Sequence, residues 1–219
     1  MRQDNFELIV FDWDGTISDS TTLIADCIRE AARELALPIP SVAAAKSVIG
    51  LGLDQSVAEL MPMLDGPARV KFVQRFRALY VPRDDEAPLY AGIPELLTAL
   101  AAPTRFLAVA TGKPRVGLER AFGYTGLKPH FHFSRCGDEG FPKPHPDMLL
   151  KLMAFTGVAA DRTLMIGDTT HDLDLAAAAG VAAVAVTYGA HPAAQLAQKN
   201  PLALLNSVSA LHAWLSNHA

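Results

Sequence analysis

Residues 8–16, Leu8-Ile9-Val10-Phe11-Asp12-Trp13-Asp14-Gly15-Thr16, run four consecutive apolar side chains straight into a pair of carboxylates. An uninterrupted apolar run of this length reads as a strand buried on both faces, the kind found in parallel sheets. In extended backbone, positions i and i+2 point to the same side, so Asp12 and Asp14 are expected to face one site. Gly15 lets the chain turn sharply behind them. Paired acids at the end of a buried strand indicate chemistry rather than packing.

Two later runs repeat the design: residues 106–110 end at Thr111-Gly112, and residues 164–166 end at Gly167-Asp168. In open α/β sheets, ligands bind in the crevice outside such carboxyl ends. Further strands are expected at 131–134, 182–186 and 202–205, with helical patterns at 93–101, 114–122, 146–156, 170–179 and 208–216. The alternation gives an α/β fold, a doubly wound and mostly parallel sheet with helices on both faces. One connection breaks the rhythm. The stretch from 13 to 104 is far longer than the dozen or so residues a crossover needs. It carries helical patterns at 21–37, 42–48, 54–60 and 67–80, with Pro38 and Pro40 as stops and Pro82 and Pro88 marking the return. The expected organisation is a core of residues 1–16 and 88–219 with an α-helical cap, 17–87, inserted over the carboxyl end of the sheet.

With 219 residues, half of them hydrophobic, the chain is long enough for a large core. A net charge of −4 argues against nucleic acid or anionic membrane as a partner. Cys27 and Cys136 lie far apart without metal-type spacing, as in a reduced cytoplasmic protein with ordinary thiols. The polar stretch from Met1 to Glu7 leads directly into the first strand and leaves no room for a signal peptide. The longest apolar tract, 175–186, is interrupted by Gly180 and falls short of the roughly 20 residues a membrane span requires. A monomer or small homo-oligomer is expected.

Four separated motifs bear on function: Asp12-x-Asp14-Gly15-Thr16, Thr111-Gly112-Lys113, Lys143-Pro144-His145-Pro146, and Gly167-Asp168-Thr169-Thr170-His171-Asp172. In this order they resemble the haloacid dehalogenase-like hydrolase superfamily along the whole chain. The helical insertion and its Gly50-Leu51-Gly52 loop resemble the phosphoglycolate phosphatase-like branch. Independent physics points to a metal. Asp12, Asp14, Asp168 and Asp172 would gather negative charge in one crevice against a single close cation, Lys143. Like charges roughly 4 Å apart repel by about 4 kcal/mol at an effective dielectric near 20. A hard divalent cation such as Mg²⁺, with carboxylate and phosphate oxygens as ligands, relieves this.

The resemblance implies a Mg²⁺-dependent phosphatase acting on a small phosphorylated metabolite, with 2-phosphoglycolate the leading substrate, through an aspartyl-phosphate. It implies Asp12 as nucleophile and Asp14 as proton donor and acceptor. Thr111, Gly112 and Lys143 would hold the phosphoryl oxygens. Asp12, Asp14 through its main-chain carbonyl, Asp168 and Asp172 would serve the metal, Asp172 directly or through water. The acid at position 14 favours a phosphatase over a dehalogenase. Two enzymatic alternatives share much of the pattern, a β-phosphoglucomutase-like sugar phosphomutase and a phosphonate hydrolase. Leu53 stands where the phosphonate hydrolase would carry a cap lysine. A non-catalytic binding module on the same fold is the remaining alternative.

Other residues read more plainly. Thr111 alone would be a helix N-cap, Asp174 a partner of the helix dipole, and Asp19 with Ser20 a helix start. His145 and His171 are expected near solvent or behind the site, and Trp13 to pack beneath the cap. Lys113 and Arg115 lie close to the site. Arg69, Lys71, Arg75 and Arg77 spread around a helix as a solvated face.

Overall fold

The computed structural model describes residues 6–218. Among these, six strands form one sheet: β1 (Leu8–Phe11), β2 (Phe106–Thr111), β3 (Phe133–Cys136), β4 (Thr163–Gly167), β5 (Ala182–Val186) and β6 (Leu204–Leu205). Their order is β3-β2-β1-β4-β5-β6, and every pairing is parallel. The chain winds outward in one direction from β1 to β3 and in the other from β4 to β6. The reversal leaves a crevice at the carboxyl ends of β1 and β4, where such sheets bind ligands.

The insertion after β1 contributes helices α1 (Thr21–Glu34), α2 (Val42–Ser47), α3 (Leu53–Leu60) and α4 (Gly66–Tyr80), then a 3₁₀ segment, Val81–Glu86. The remaining helices flank the sheet: α5 (Ile93–Leu100), α6 (Arg115–Thr125), α7 (Asp147–Thr156), α8 (Thr170–Ala178), α9 (Ala193–Ala197) and α10 (Val208–His218). The period of two along each strand sorts its side chains onto opposite faces. Ile9, Phe11, Leu107, Val109, Leu164 and Ile166 meet α5, α6 and α10. Leu8, Val10, Ala108, Ala110 and Met165 meet α7 and α8 through Leu149, Leu152 and Leu175. Residue 12 continues the second set, so the α7–α8 side of the sheet supplies the partners of Asp12. The insertion has its own apolar cluster, which includes Ala25, Ile28, Val48, Met61, Phe72 and Phe76.

The two chain segments that join insertion and core run side by side. Asp19 N–H donates to Pro88 O at 2.8 Å, and Tyr90 N–H to Ile17 O at 3.0 Å. Two strand expectations shift. The third strand starts at Phe133 because Phe131 N–H closes the preceding turn onto Lys128 O, and the last shrinks to Leu204–Leu205. Trp13 packs into the core, edge-on to Phe122 with ring centres 5.4 Å apart, rather than beneath the cap. No helix among the described residues is long and apolar enough to cross a membrane.

Candidate active site

Asp12, the residue after β1, is almost fully buried, and among the described residues one cation reaches it. Lys143 Nζ lies 2.9 Å from Asp12 Oδ1 and donates to Asp172 Oδ1 at 2.5 Å. Lys143 is itself 0% exposed, so its charge is set by these two acids. Asp172 is fixed in turn by the start of α8. Its Oδ2 accepts Thr169 N–H at 3.0 Å and Thr169 Oγ1–H at 2.7 Å, while Asp172 N–H donates to Thr169 Oγ1. This Thr-x-x-Asp capping box ties the carboxylate to the helix terminus and leaves Oδ1 for the lysine. Asp168, at the end of β4, accepts Thr16 Oγ1–H and Ala190 N–H, each at 2.7 Å. Gly15 passes tightly against it at φ +85°, where a Cβ would lie 2.1 Å from Asp168 Oδ2.

Two buried carboxylates therefore share one ammonium, and a third, Asp168, lies beside them. Burial raises the Asp12 carboxyl well above the usual carboxylate range, although Lys143 opposes this. Burial and then the Asp172 charge push Asp168 up to about 7. For Lys143, burial works against the charge, but Asp12 and Asp172 outweigh it and hold the ammonium above its ordinary value. Asp12, Asp168 and Asp172 each offer an oxygen within 4.8 Å of the others. Asp12 Oδ2 has no hydrogen-bond partner among the described residues. An all-oxygen donor set with an orphaned, buried carboxylate oxygen fits a hard divalent cation.

The Asp14 carboxylate lies outside that group. After Asp12 the chain coils, with Ile17 and Ser18 N–H both donating to Trp13 O. Asp14 Oδ1 then accepts Ser20 Oγ–H at 2.7 Å and pairs with Lys113 Nζ at 3.1 Å. Lys113 also donates to Tyr80 Oη at 2.7 Å and Asp84 Oδ1 at 3.2 Å, and Arg120 Nη2 reaches Asp84 Oδ2 at 3.1 Å. Burial opposes the Lys113 charge, but Asp14 and Asp84 raise its pKa overall. The expectation that both acids look into one site thus resolves into two neighbouring compartments. Asp12 belongs to the metal-competent cluster, and Asp14 to a cavity of about 380 Å³ between cap and core.

Thr111 is buried at the end of β2, where its Oγ1 accepts Lys113 N–H at 3.2 Å. The cap loop sits directly on Gly112, with no room there for a side chain. His171 and His191 both place Nε2 against Ser47 O of the cap, at 2.9 and 3.1 Å. His191 Nδ1 accepts Thr170 N–H, which assigns the proton to its Nε2 and makes Ser47 O the acceptor. Burial lowers the His191 pKa, in keeping with a neutral ring. Tyr80, Asp84 and His191 were not legible as site residues. Each reaches the site through a long-range contact that no local pattern announces. Among the cap cations, Arg75 pairs with Glu34 and Arg69 donates to Leu64 O, whereas Arg77 is exposed and also lines the cavity. Asp174 pairs with Lys199 at the surface, and Arg115 with Glu139.

The family model described as haloacid dehalogenase-like hydrolase matches residues 9–186. The chain is 34% identical to the probable phosphatase IndB of Dickeya dadantii, over 95% of this chain and 94% of that protein. It is 28% identical to a phosphoglycolate phosphatase of Pseudomonas savastanoi pv. phaseolicola, over 94% of this chain and 78% of that protein. It superposes with a TM-score of 0.85 on the crystal structure of a predicted phosphoglycolate phosphatase from Haemophilus somnus. That pair is 27% identical, covering 96% of this chain and 98% of the other.

Proposed function

For a chain that belongs to the haloacid dehalogenase-like hydrolase family, we propose Mg²⁺-dependent hydrolysis of a phosphomonoester through a phosphoryl group carried on Asp12. The observation that supports this most is the Asp12 carboxylate: buried, with Oδ2 unpartnered among the described residues and Lys143 at 2.9 Å from Oδ1. A structural aspartate would be satisfied; this one is held ready to make a bond.

Asp12 attacks phosphorus, forming an Asp12 O–P bond as the P–O bond to the alcohol breaks. Asp14 gives its proton to the departing alkoxide, then takes one from the water that attacks phosphorus and releases Asp12. Lys143, Thr111 Oγ1 and the main chain at Gly112 hold the phosphoryl oxygens and offset their charge. Asp12, Asp168 and the main-chain carbonyl of Asp14 would hold the Mg²⁺. Asp172, with Oδ1 on Lys143 and Oδ2 on Thr169, acts from behind by positioning that lysine. When bound, the ion neutralises the excess negative charge and polarises a phosphoryl oxygen.

The test is phosphate release with and without Mg²⁺ across 2-phosphoglycolate, sugar phosphates, nucleotides and pyrophosphate, with Asp12→Asn as the control. Mg²⁺-dependent release abolished by Asp12→Asn supports the proposal. No release from any ester, or undiminished release by a folded Asp12→Asn, overturns it. Sugar-phosphate isomerisation without net phosphate release would mark a mutase instead.

A further inference from the structure

The cavity above Asp14 bears on which alcohol leaves. Its volume, about 380 Å³, falls in the range of roughly 300–1,000 Å³ that encloses drug-sized molecules, far beyond a glycolate. Its walls include Ile24, Ile28, Val48, Ile49, Phe76 and Val116, drawn from both cap and core. Phe76 stacks on Tyr80, with ring planes 8° apart, and the stacked pair puts aromatic surface on the cavity wall.

The two cations beside Asp14 and Asp84, Lys113 and Arg120, are already engaged. Lys113 spends its three ammonium protons on Asp14, Tyr80 and Asp84. Arg120 pairs with the other oxygen of Asp84. Asp14 and Asp138 present carboxylates, and Arg77 is exposed at the rim. A carboxylate adjoining the ester oxygen at Asp14 would therefore meet apolar walls and a cation already paired, at the cost of an unpaired buried charge.

We infer that the leaving alcohol is bulky, uncharged and ring-bearing, with its ring against Phe76 and its ester oxygen at Asp14. This rests on the phosphomonoesterase reading and narrows its substrate class away from 2-phosphoglycolate. Two chemistries share the description, a nucleoside and a simple aryl-alkyl alcohol.

The test compares kcat/KM, with Mg²⁺, for 2-phosphoglycolate, ethyl phosphate, 2-phenylethyl phosphate and a nucleoside monophosphate esterified at its primary hydroxyl. All are alkyl esters with leaving groups of comparable acidity, so differences report the cavity. Burying apolar surface gains about fourfold per methylene, so the ring-bearing esters should lead by at least about tenfold. Ile24→Trp, which narrows the cavity at a half-exposed position, should lower the ratio of ring-bearing to ethyl ester by about tenfold. The faster of the two ring-bearing esters identifies the chemistry. Equal or better turnover of 2-phosphoglycolate, or a ratio untouched by Ile24→Trp, overturns the inference while leaving the phosphatase reading intact. Absence of turnover on every ester overturns both.

Discussion

A single methyl group placed on Gly112 should uncouple the cap from the chemistry. A Cβ at this position would lie 2.4 Å from Leu51 O and 2.6 Å from Gly50 O. Both obstacles are main-chain atoms, so no rotamer change relieves the clash. Tolerated Cβ contacts begin at 3.0–3.4 Å, so the cap loop must retreat by about 0.6–1.0 Å. Overpacking of a tight contact costs about 1–3 kcal/mol. Here the figure should fall at the low end, because the cap can shift on its two linkers while both apolar clusters stay packed. For a chain of this size, 1 kcal/mol corresponds to roughly 2–4 °C in melting temperature. Catalysis is less forgiving, since displacement by about 1 Å costs on the order of 100-fold. Gly112→Ala should therefore lose about 100-fold in kcat/KM while melting no more than about 4 °C below the parent. Steady-state phosphate release and a thermal melt on the same preparation supply both numbers. A kcat/KM within threefold of the parent would refute the idea that the cap's seat on Gly112 sets the geometry.

Lys143→Met should strand Asp12 and Asp172 without their cation, costing about 3–5 kcal/mol, and a melt should show a fall of roughly 6–20 °C with no measurable turnover. Mg²⁺ at about 100 times its Kd should raise stability by about 2.7 kcal/mol, and Asp168→Asn should remove that gain in a calorimetric titration. In a chelator, Asp168 titrates near 7 in the fold against about 4 unfolded, so the native state binds more protons between those values. Stability of the metal-free protein should therefore fall as pH rises from 5 to 7, and denaturant midpoints across that window should show a flatter profile for Asp168→Asn. Trp13→Phe should leave kcat and KM unchanged. Its indole N–H is buried without a partner among the described residues, and its ring packs on Phe122 rather than lining the cavity. A change beyond threefold in KM would place Trp13 in substrate recognition.

The strand-to-acid design was legible at Asp12, Thr111 and Asp168 because a buried strand and the polar residue at its end are neighbours in sequence. Asp172 was legible for a related reason: it closes the same short motif, four residues after Asp168. What local pattern could not supply is which partners meet across the fold. The spacing of Asp12 and Asp14 placed both on one side of an extended strand, but the chain coils at Trp13 and sends Asp14 to Lys113. Tyr80 and Asp84 meet Lys113 from the end of the cap, and Asp84 stands in a run, Arg83-Asp84-Asp85-Glu86, that looks like ordinary solvated charge. Arg77 was grouped with Arg69 and Arg75 by helical spacing, yet only packing decides which of three arginines faces a cavity.

Phosphoryl transfer to Asp12 is tested by catching the phosphoryl group on that carboxylate. Turnover quenched in acid and treated with borohydride converts an aspartyl-phosphate to homoserine, which peptide mass spectrometry locates. Homoserine is expected at position 12, dependent on Mg²⁺ and substrate and absent from Asp12→Asn. Phosphate release with position 12 unmodified, or with the label on another carboxylate, would contradict phosphoryl transfer to Asp12.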